Sequence, residues 1–320
     1  MTQQPIFKYD PDIGYTFIPN QKLRIQHEGG GYLFSSNSKG FRDKEWLPNE
    51  KISINILGDS FTAGDGVSNG KRWPDILNNL IKNIDVRNFG MSGTGTDQQY
   101  LIWKKFARKQ PSSLTIVAIL VENIRRNCVA YRPVIDSNQT LFKAKPYFKL
   151  ESNKLIHFNK IVPKEPVSIK QLDGPLDRGG DFFAIRKLIS KIGLKEAVQA
   201  LTSYQPVSDY NDVNSEGWQL LKAILFKWIS ECNTPIILIP IPLYQHIEET
   251  ADAKHYQNRF FEFSKESGCK LIDPLPYLLK YSKSTRRSFR FKNDVHLTEK
   301  GHIALSEAIA PELLRVIKNI

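Results

Sequence analysis

The chain has 320 residues, of which 41% are hydrophobic and 24% charged, a composition that indicates a globular protein and excludes a disordered one. Its net charge of +12 is compatible with a nucleic acid, an anionic membrane face or an acidic small substrate as partner. The amino terminus lacks a basic stretch followed by an apolar one, and no apolar run is long enough to span a bilayer, so we expect a soluble, cytoplasmic protein.

The first half of the chain alternates short apolar runs with amphipathic stretches. ISINIL at 52–57 predicts a buried strand that ends at Gly58. Apolar residues then recur at helical spacing from Trp73 to Ile84, with Pro74 in a first turn. Further along, the pattern predicts a strand at 85–90, a helix at 96–109 capped by Thr96 or Asp97, and a strand at 114–121.

The same alternation returns in the second half, with predicted helices near 216–231 and 252–267, strands from 235 and at 270–273, and a final helix from about 298. Repeated strand and helix units predict a parallel sheet covered on both faces. Two stretches break this rhythm, and we interpret 1–50 as an amino-terminal cap and 131–214 as a lid inserted into a catalytic domain of residues 51–320.

The sequence predicts neither a metal nor a cofactor. Cys128, Cys232 and Cys269 are odd in number and widely separated, which favours neither a disulfide framework nor a zinc site. GTGTDQ at 93–98 lacks the third glycine of a dinucleotide fingerprint, and no Gly-Lys-Ser/Thr phosphate loop occurs.

Reactive groups in open parallel sheets gather beyond the carboxyl ends of strands, so the residues that follow each predicted strand are the candidates for a reactive site. Gly58, Asp59 and Ser60 follow the first strand, where a serine at a helix start makes an exposed nucleophile. Gly93 follows the second strand and Asn123 the third, and both could donate a hydrogen bond to an oxyanion. No role is assigned to Glu122.

Asp294 and His296 stand just before the final helix, where they would complete a Ser-His-Asp arrangement with Ser60. Alone, the GDS sequence could be a strand-to-turn junction without chemistry, but its occurrence with a late Asp/His pair favours catalysis. Thr298 is better interpreted as a helix cap, and His302 as a structural imidazole.

Four features follow one another along the chain: the GDS sequence at 58–60, Gly93, Asn123 and the late Asp294/His296 pair. In this order they resemble the SGNH (GDSL-like) hydrolase family. The resemblance covers about 51–128 and 232–310 and implies a flavodoxin-like, mostly parallel sheet in a three-layer α/β/α sandwich. It also implies that Ser60 is the nucleophile and His296 its base, and that Ser60, Gly93 and Asn123 form the oxyanion hole.

The sequence departs from the family pattern in two places. Isoleucine follows Asn123 where aspartate is usual, and the late pair is spaced DxH where DxxH is usual, so Asn293 is an alternative orienting residue to Asp294. The DxH spacing, like the Asn37–Glu45 segment, resembles branches that act on cell-surface polysaccharides.

Basic residues lie near both ends of the predicted site. Arg125 and Arg126 follow the third strand and Arg287 precedes His296, so we interpret them as substrate-binding residues for an anionic substrate, with solvated surface charge as the alternative. The aromatic residues within RRSFRFK also permit nucleic-acid binding, but no matching fold signature accompanies them and such a partner is disfavoured.

Together these observations predict a serine-dependent ester hydrolase or O-acyltransferase. The resemblance favours a short acyl ester, such as acetyl, on a carbohydrate or glycoconjugate. The alternative is a non-catalytic protein of the same fold that binds an acidic glycan or a nucleic acid.

Overall fold

The computed structural model describes residues 5–48, 50–136, 139–176 and 205–318, so part of the predicted lid, 177–204, lies outside the described residues. The described strands form one five-stranded parallel sheet and four separate hairpins. The first two hairpins pair β1 (Phe7–Asp10) with β2 (Gly14–Phe17) and β3 (Lys22–Ile25) with β4 (Tyr32–Ser35). The sheet contains β5 (Ile52–Leu57), β6 (Ile84–Asn88), β7 (Leu114–Leu120), β12 (Ile236–Ile241) and β13 (Lys270–Leu271). Between β7 and β12, β8 (Tyr131–Asp136) pairs with β9 (Gln139–Ala144), and β10 (Tyr147–Glu151) pairs with β11 (Lys154–Phe158).

The described helices are, in chain order, α1 (Ser60–Ala63), α2 (Trp73–Leu80), α3 (Thr96–Lys105), α4 (Asn123–Asn127), α5 (Glu216–Glu231), α6 (Tyr244–Ile247), α7 (Lys254–Ser267), α8 (Leu275–Leu278), α9 (Lys283–Arg287) and α10 (Glu299–Ile317). Short 3-10 turns occur at Ala107–Lys109, Ile169–Gln171 and Ser208–Tyr210. No helix of the described residues combines the length and the apolar character needed to cross a bilayer.

The central strands are buried on both faces. Every residue of β7 and of β12 is buried, as expected where helices cover both faces of a parallel sheet. This explains why their sequences, LTIVAIL and IILIPI, are continuous apolar runs and not alternating ones.

The strand order is β13-β12-β7-β5-β6, and all neighbouring pairs are parallel. From β5 the chain steps to β6 on one side, and from β7 it steps to β12 and β13 on the other. Because parallel crossovers are right-handed, helices of the two directions cover opposite faces. In agreement, α2 packs on α10, while α3 packs on α5. The predicted α/β/α sandwich is confirmed, with its topological switch point between β5 and β7.

The start of α2 agrees with the sequence-based prediction, whereas the start of α3 does not. Pro74 lies in the first turn of α2, as predicted. The prediction that Thr96 or Asp97 caps α3 is wrong, because the cap residue is Gly95 and Thr96 is already helical. The Asp97 carboxylate instead accepts a hydrogen bond from Nζ of the buried Lys145.

Arg42 joins the amino-terminal segment to the turn that carries Ser60. Its buried guanidinium donates to the carbonyl of Ala63 at 3.0 Å, to Oδ1 of Asn69 at 3.0 Å and to the carbonyls of Gly64 and Val67. Burial and the neighbouring Arg72 lower the pKa of Arg42 to about 10. The amino-terminal segment therefore holds the turn after Ser60 in place. Its description as a separate cap stays a prediction.

Candidate active site

The turn after β5 places Ser60 at the topological switch point of the sheet. A Cβ at Gly58 would overlap the Thr62 side chain and lie 3.0 Å from the carbonyl oxygen of Ala118, so only glycine fits this turn. Asp59 caps α1 by accepting from the N–H of Phe61 at 3.0 Å, and the helix begins at Ser60. The turn therefore holds the serine in one orientation at the carboxyl edge of the sheet.

Two residues from the loop before α10 continue a line of hydrogen bonds from this serine. Nε2 of His296 lies 2.8 Å from Oγ of Ser60, and Nδ1 of His296 lies 2.6 Å from Oδ1 of Asp294. The same oxygen of Asp294 accepts from the N–H of His296 at 2.9 Å. Since an ionised carboxylate only accepts, Nδ1 carries the proton and Nε2 accepts from the Ser60 hydroxyl.

The charges around His296 favour its protonated form. Burial lowers the pKa of His296, but the hydrogen bond that His296 donates to Asp294 and the negative charges of Asp65, Asp294 and Asp59 outweigh burial and raise it above its ordinary value. The His296 hydrogen bond in turn holds the pKa of Asp294 well below its usual range. The pair is therefore arranged to stabilise an imidazolium.

A second histidine, which the sequence analysis did not identify, contacts the same carboxylate. Nε2 of His27, in the turn between β3 and β4, lies 3.1 Å from Oδ2 of Asp294. No motif surrounds His27, and only the tertiary structure places it here. Asn293, the alternative orienting residue, instead donates from Nδ2 to Glu28 at 3.0 Å.

Ser60 and His296 line an open cavity of about 440 Å³. Its walls are partly apolar, formed by Phe61, Leu120, Leu243 and Val295, and partly polar, formed by Asp65, Glu122, Arg126, Arg132 and Gln245. Gly93 also lines the cavity, with a φ of 80° that favours glycine. A cavity with apolar walls and a few convergent polar groups is the usual form of a small-molecule site.

Asn123 lies just beyond the carboxyl end of β7, as the first residue of α4. Its side chain is fully buried, and neither amide atom has a hydrogen bond of normal geometry among the described residues. The amide lies beside the Asp59 carboxylate, whose pKa burial raises and the charge of Arg126 lowers, with a smaller lowering contribution from Asn123. Unlike Ser60 and Gly93, Asn123 therefore does not line the cavity surface.

The predicted basic residues fall in different places. Arg126 lines the cavity and donates to Oδ2 of Asp59 at 3.1 Å, whereas Arg125 pairs with Asp209 at 3.8 Å. Arg287 is exposed at the end of α9 and is not among the cavity residues. Arg132, which the sequence analysis did not identify, lines the cavity and donates to the carbonyl of Gly93.

Within the described residues, no three His, Cys, Asp or Glu side chains converge so as to hold a metal ion. The groups that the hydrogen bonds bring together are a hydroxyl, an imidazole and a carboxylate at the edge of a parallel α/β sheet, which is the constellation of serine hydrolases.

Residues 54–309 match the family model of the GDSL-like lipases and acylhydrolases, so the chain belongs to this family. It is accordingly a serine-dependent enzyme of the carboxylic ester hydrolase class. No curated protein matches the sequence.

Solved structures with a similar chain path include several esterases. A member of the lipolytic G-D-S-L family from Veillonella parvula is 15% identical, with 82% of this chain and 99% of that chain covered and a TM-score of 0.44. The acetyl xylan esterase AlAXEase is 12% identical, covering 82% and 100%, with a TM-score of 0.45. The esterase EstA from Pseudoalteromonas is 10% identical, covering 83% and 98%, with a TM-score of 0.43.

Proposed function

We propose that the enzyme cleaves or transfers a short acyl ester of a carbohydrate through a Ser60-His296-Asp294 triad. The observation that carries this proposal is the unbroken chain of hydrogen bonds, 2.8 Å from Ser60 to His296 and 2.6 Å from His296 to Asp294. The distances are within the range in which a base can take the proton of a nucleophile.

In the proposed reaction, Oγ of Ser60 bonds to the ester carbonyl carbon while its proton passes to Nε2 of His296. The tetrahedral intermediate collapses, its bond to the alcohol oxygen breaks, and that oxygen takes the proton from His296. Water or an acceptor hydroxyl then attacks the acyl-Ser60 ester by the same route, with His296 again as base. Asp294 orients His296 and stabilises its charged form in both halves.

The N–H groups of Ser60 and Gly93 are the proposed oxyanion donors, together with the amide of Asn123. Ser60 and Gly93 both line the cavity. The Asn123 amide is buried without a normal hydrogen bond among the described residues, which supports a partner that arrives with the transition state.

The small space beside Phe61 supports the proposal that the acyl group is short. Phe61, Tyr244 and Val295 line both the main cavity and an adjoining recess, whose volume is about 10 Å³ and whose walls also include Arg286 and Arg290. That is room for about one water molecule. A long acyl chain would have to displace buried side chains to extend in this direction.

The acyl-length proposal is tested with p-nitrophenyl acetate, butyrate and octanoate. An apolar channel would raise kcat/KM about 15-fold from acetate to butyrate, since each buried methylene contributes about 0.8 kcal/mol. We expect no such rise and a fall for octanoate. A steady increase with chain length would refute the short-acyl proposal.

A second cavity supports an acidic, ring-containing substrate. It shares Asp65, Gly93 and Arg132 with the first, and its volume is about 540 Å³. Aromatic and cationic side chains line it together, namely Phe7, Tyr9, Tyr15, Lys8, Lys143 and Lys164. Aromatic faces pack on sugar rings, and the excess of cations over Asp65 favours carboxylate or other anionic groups.

The substrate proposal is tested by comparing an acetylated oligogalacturonide with an acetylated neutral xylo-oligosaccharide. Lys143→Glu should raise KM for the acidic sugar about 2- to 5-fold at low salt, as for an exposed ion pair, with less effect at high salt. The matched control is Lys254→Glu, an exposed residue at the start of α7. Equal KM changes for both sugars would contradict the acidic-substrate proposal.

The triad is tested by p-nitrophenol release and intact mass for wild type, Ser60→Ala and His296→Ala. Both variants should lose activity and the acyl adduct, while the controls Ser230→Ala and His255→Ala, at positions outside the cavity lining, should keep both. Adding an alcohol acceptor partitions the acyl group between water and acceptor and so separates hydrolysis from transfer. Equal rates in all proteins would refute the proposed triad.

A further inference from the structure

The two carboxylate oxygens of Asp294 serve different partners. Oδ1 accepts from the N–H and Nδ1 of His296, and Oδ2 lies 3.1 Å from Nε2 of His27. We infer that His27 is a positioning residue, which holds the Asp294 carboxylate in the orientation that aligns His296 with Ser60. This inference rests on the proposed triad.

The hydrogen bonds around His27 define its tautomer. The N–H of Gly29 donates to Nδ1 of His27 at 3.3 Å, so Nδ1 carries a lone pair. The proton of the neutral imidazole is then on Nε2, which faces Asp294. His27 therefore donates to the carboxylate without having to be charged.

The His27 ring is held in place by packing. Its side chain is 14% exposed, and its ring meets that of Phe291 edge to face at 4.4 Å between centroids. Gly29 and Gly66 make room for this contact, since a Cβ on either would lie within 2.8 Å of a Phe291 ring carbon. Because Phe291 belongs to the loop that leads to Asp294, the β3–β4 turn and this loop pack as one unit.

Glu28 makes a second connection to the same loop. Its two carboxylate oxygens accept from the N–H of Asn293 at 3.0 and 3.1 Å, and one of them accepts from Nδ2 of Asn293 at 3.0 Å. His27 thus contacts Asp294, and its neighbour Glu28 contacts Asn293, so two consecutive residues of the turn hold two consecutive residues of the loop. The Asp294 side chain is 33% exposed, so without His27 water would compete for Oδ2.

The test compares His27→Phe, which keeps an aromatic ring but has no donor, with His27→Gln, which keeps an N–H. Loss of an outer hydrogen bond to a metal-ligating histidine typically costs 10- to 100-fold in activity, and by the same orienting argument we expect a loss of kcat of about that size for His27→Phe with KM unchanged. His27→Gln should restore most of the rate. Wild-type kcat in His27→Phe, or equal loss in a folded His27→Gln, would overturn the inference.

A double-mutant cycle separates positioning through Asp294 from a general structural effect. In an Asp294→Ala background, His27→Phe should cause no further loss of kcat, because the carboxylate that Nε2 of His27 contacts is gone. A further tenfold loss there would overturn the inference. His27→Leu replaces His27→Phe in the cycle if the larger ring prevents folding, as judged by a thermal transition.

The control for ring substitution is His255→Phe in α7, which should keep wild-type kcat. Ser60→Ala and His296→Ala are measured in the same series. Full activity in these two would refute the proposed function itself. Their inactivity combined with normal kcat in His27→Phe would refute only the positioning role of His27.

Discussion

Replacing Asp294 by asparagine tests the charge and the geometry of the proposed triad together. Both neighbours donate to the carboxylate, His296 to Oδ1 and His27 to Oδ2. An asparagine has one acceptor and one donor end, so one of the two neighbours must then meet an N–H group. If the amide faces His296, it forces the proton onto Nε2, and His296 can no longer accept from Ser60.

The expected magnitude follows from the lost charge. A carboxylate about 4 Å from the imidazolium centre contributes about 4 kcal/mol at an effective dielectric constant of about 20, which corresponds to about 10³ in kcat. The assay is p-nitrophenyl acetate hydrolysis with titration of the acyl-enzyme. Asp212→Asn, an exposed residue whose carboxylate accepts from the N–H of Asn214, is the control. A loss of less than tenfold in Asp294→Asn would refute the reasoning.

Three further outcomes are expected. The acid limb of kcat/KM should have an inflection above the ordinary histidine value of about 6.5, because His296 must be neutral to act as base and its pKa is raised; an inflection below about 6 would contradict this. Arg42→Met should lower the free energy of unfolding by about 3 to 5 kcal/mol, measured in urea, because it leaves the carbonyls of Ala63, Gly64 and Val67 without donors and each unsatisfied buried group costs about 1 to 3 kcal/mol; a change below about 1 kcal/mol would contradict it. Asn123→Ala should lower kcat about 10²- to 10³-fold with little change in the temperature of thermal unfolding. A lower unfolding temperature with normal kcat would mean that Asn123 stabilises the buried Asp59 carboxylate and does not act on the oxyanion.

Much of the core was predictable from the sequence because local rules and the sheet topology act together. The glycine at 58 and the cap at Asp59 are local requirements of a strand that turns into a helix. Parallel strands then bring the residues after β5 and β7 to one edge, wherever they lie in the chain. This is why the positions of Ser60 and Asn123 at the switch point follow from the pattern of strands.

The partners that hold these residues could not be predicted in the same way. Arg287 is close to His296 in sequence, but the α9 helix leaves it exposed, and it does not line the cavity. His27 and Arg132 reach the site from hairpins whose docking depends on tertiary packing and on no local motif. Hydrophobic periodicity describes which face of an element is buried, but not which neighbour a polar side chain meets.

The long sequence separations within the site bear on when activity arises during folding. Ser60 and His296 are 236 positions apart, and His27 and Asp294 are 267 apart. Contacts of such separation form late in folding, because the entropy cost of closing a large loop is incurred before the contacts stabilise the chain. A chain still emerging from the ribosome therefore contains Ser60, the proposed nucleophile, long before His296, the proposed base, and hydrolysis should be among the last properties to return when the denatured protein refolds.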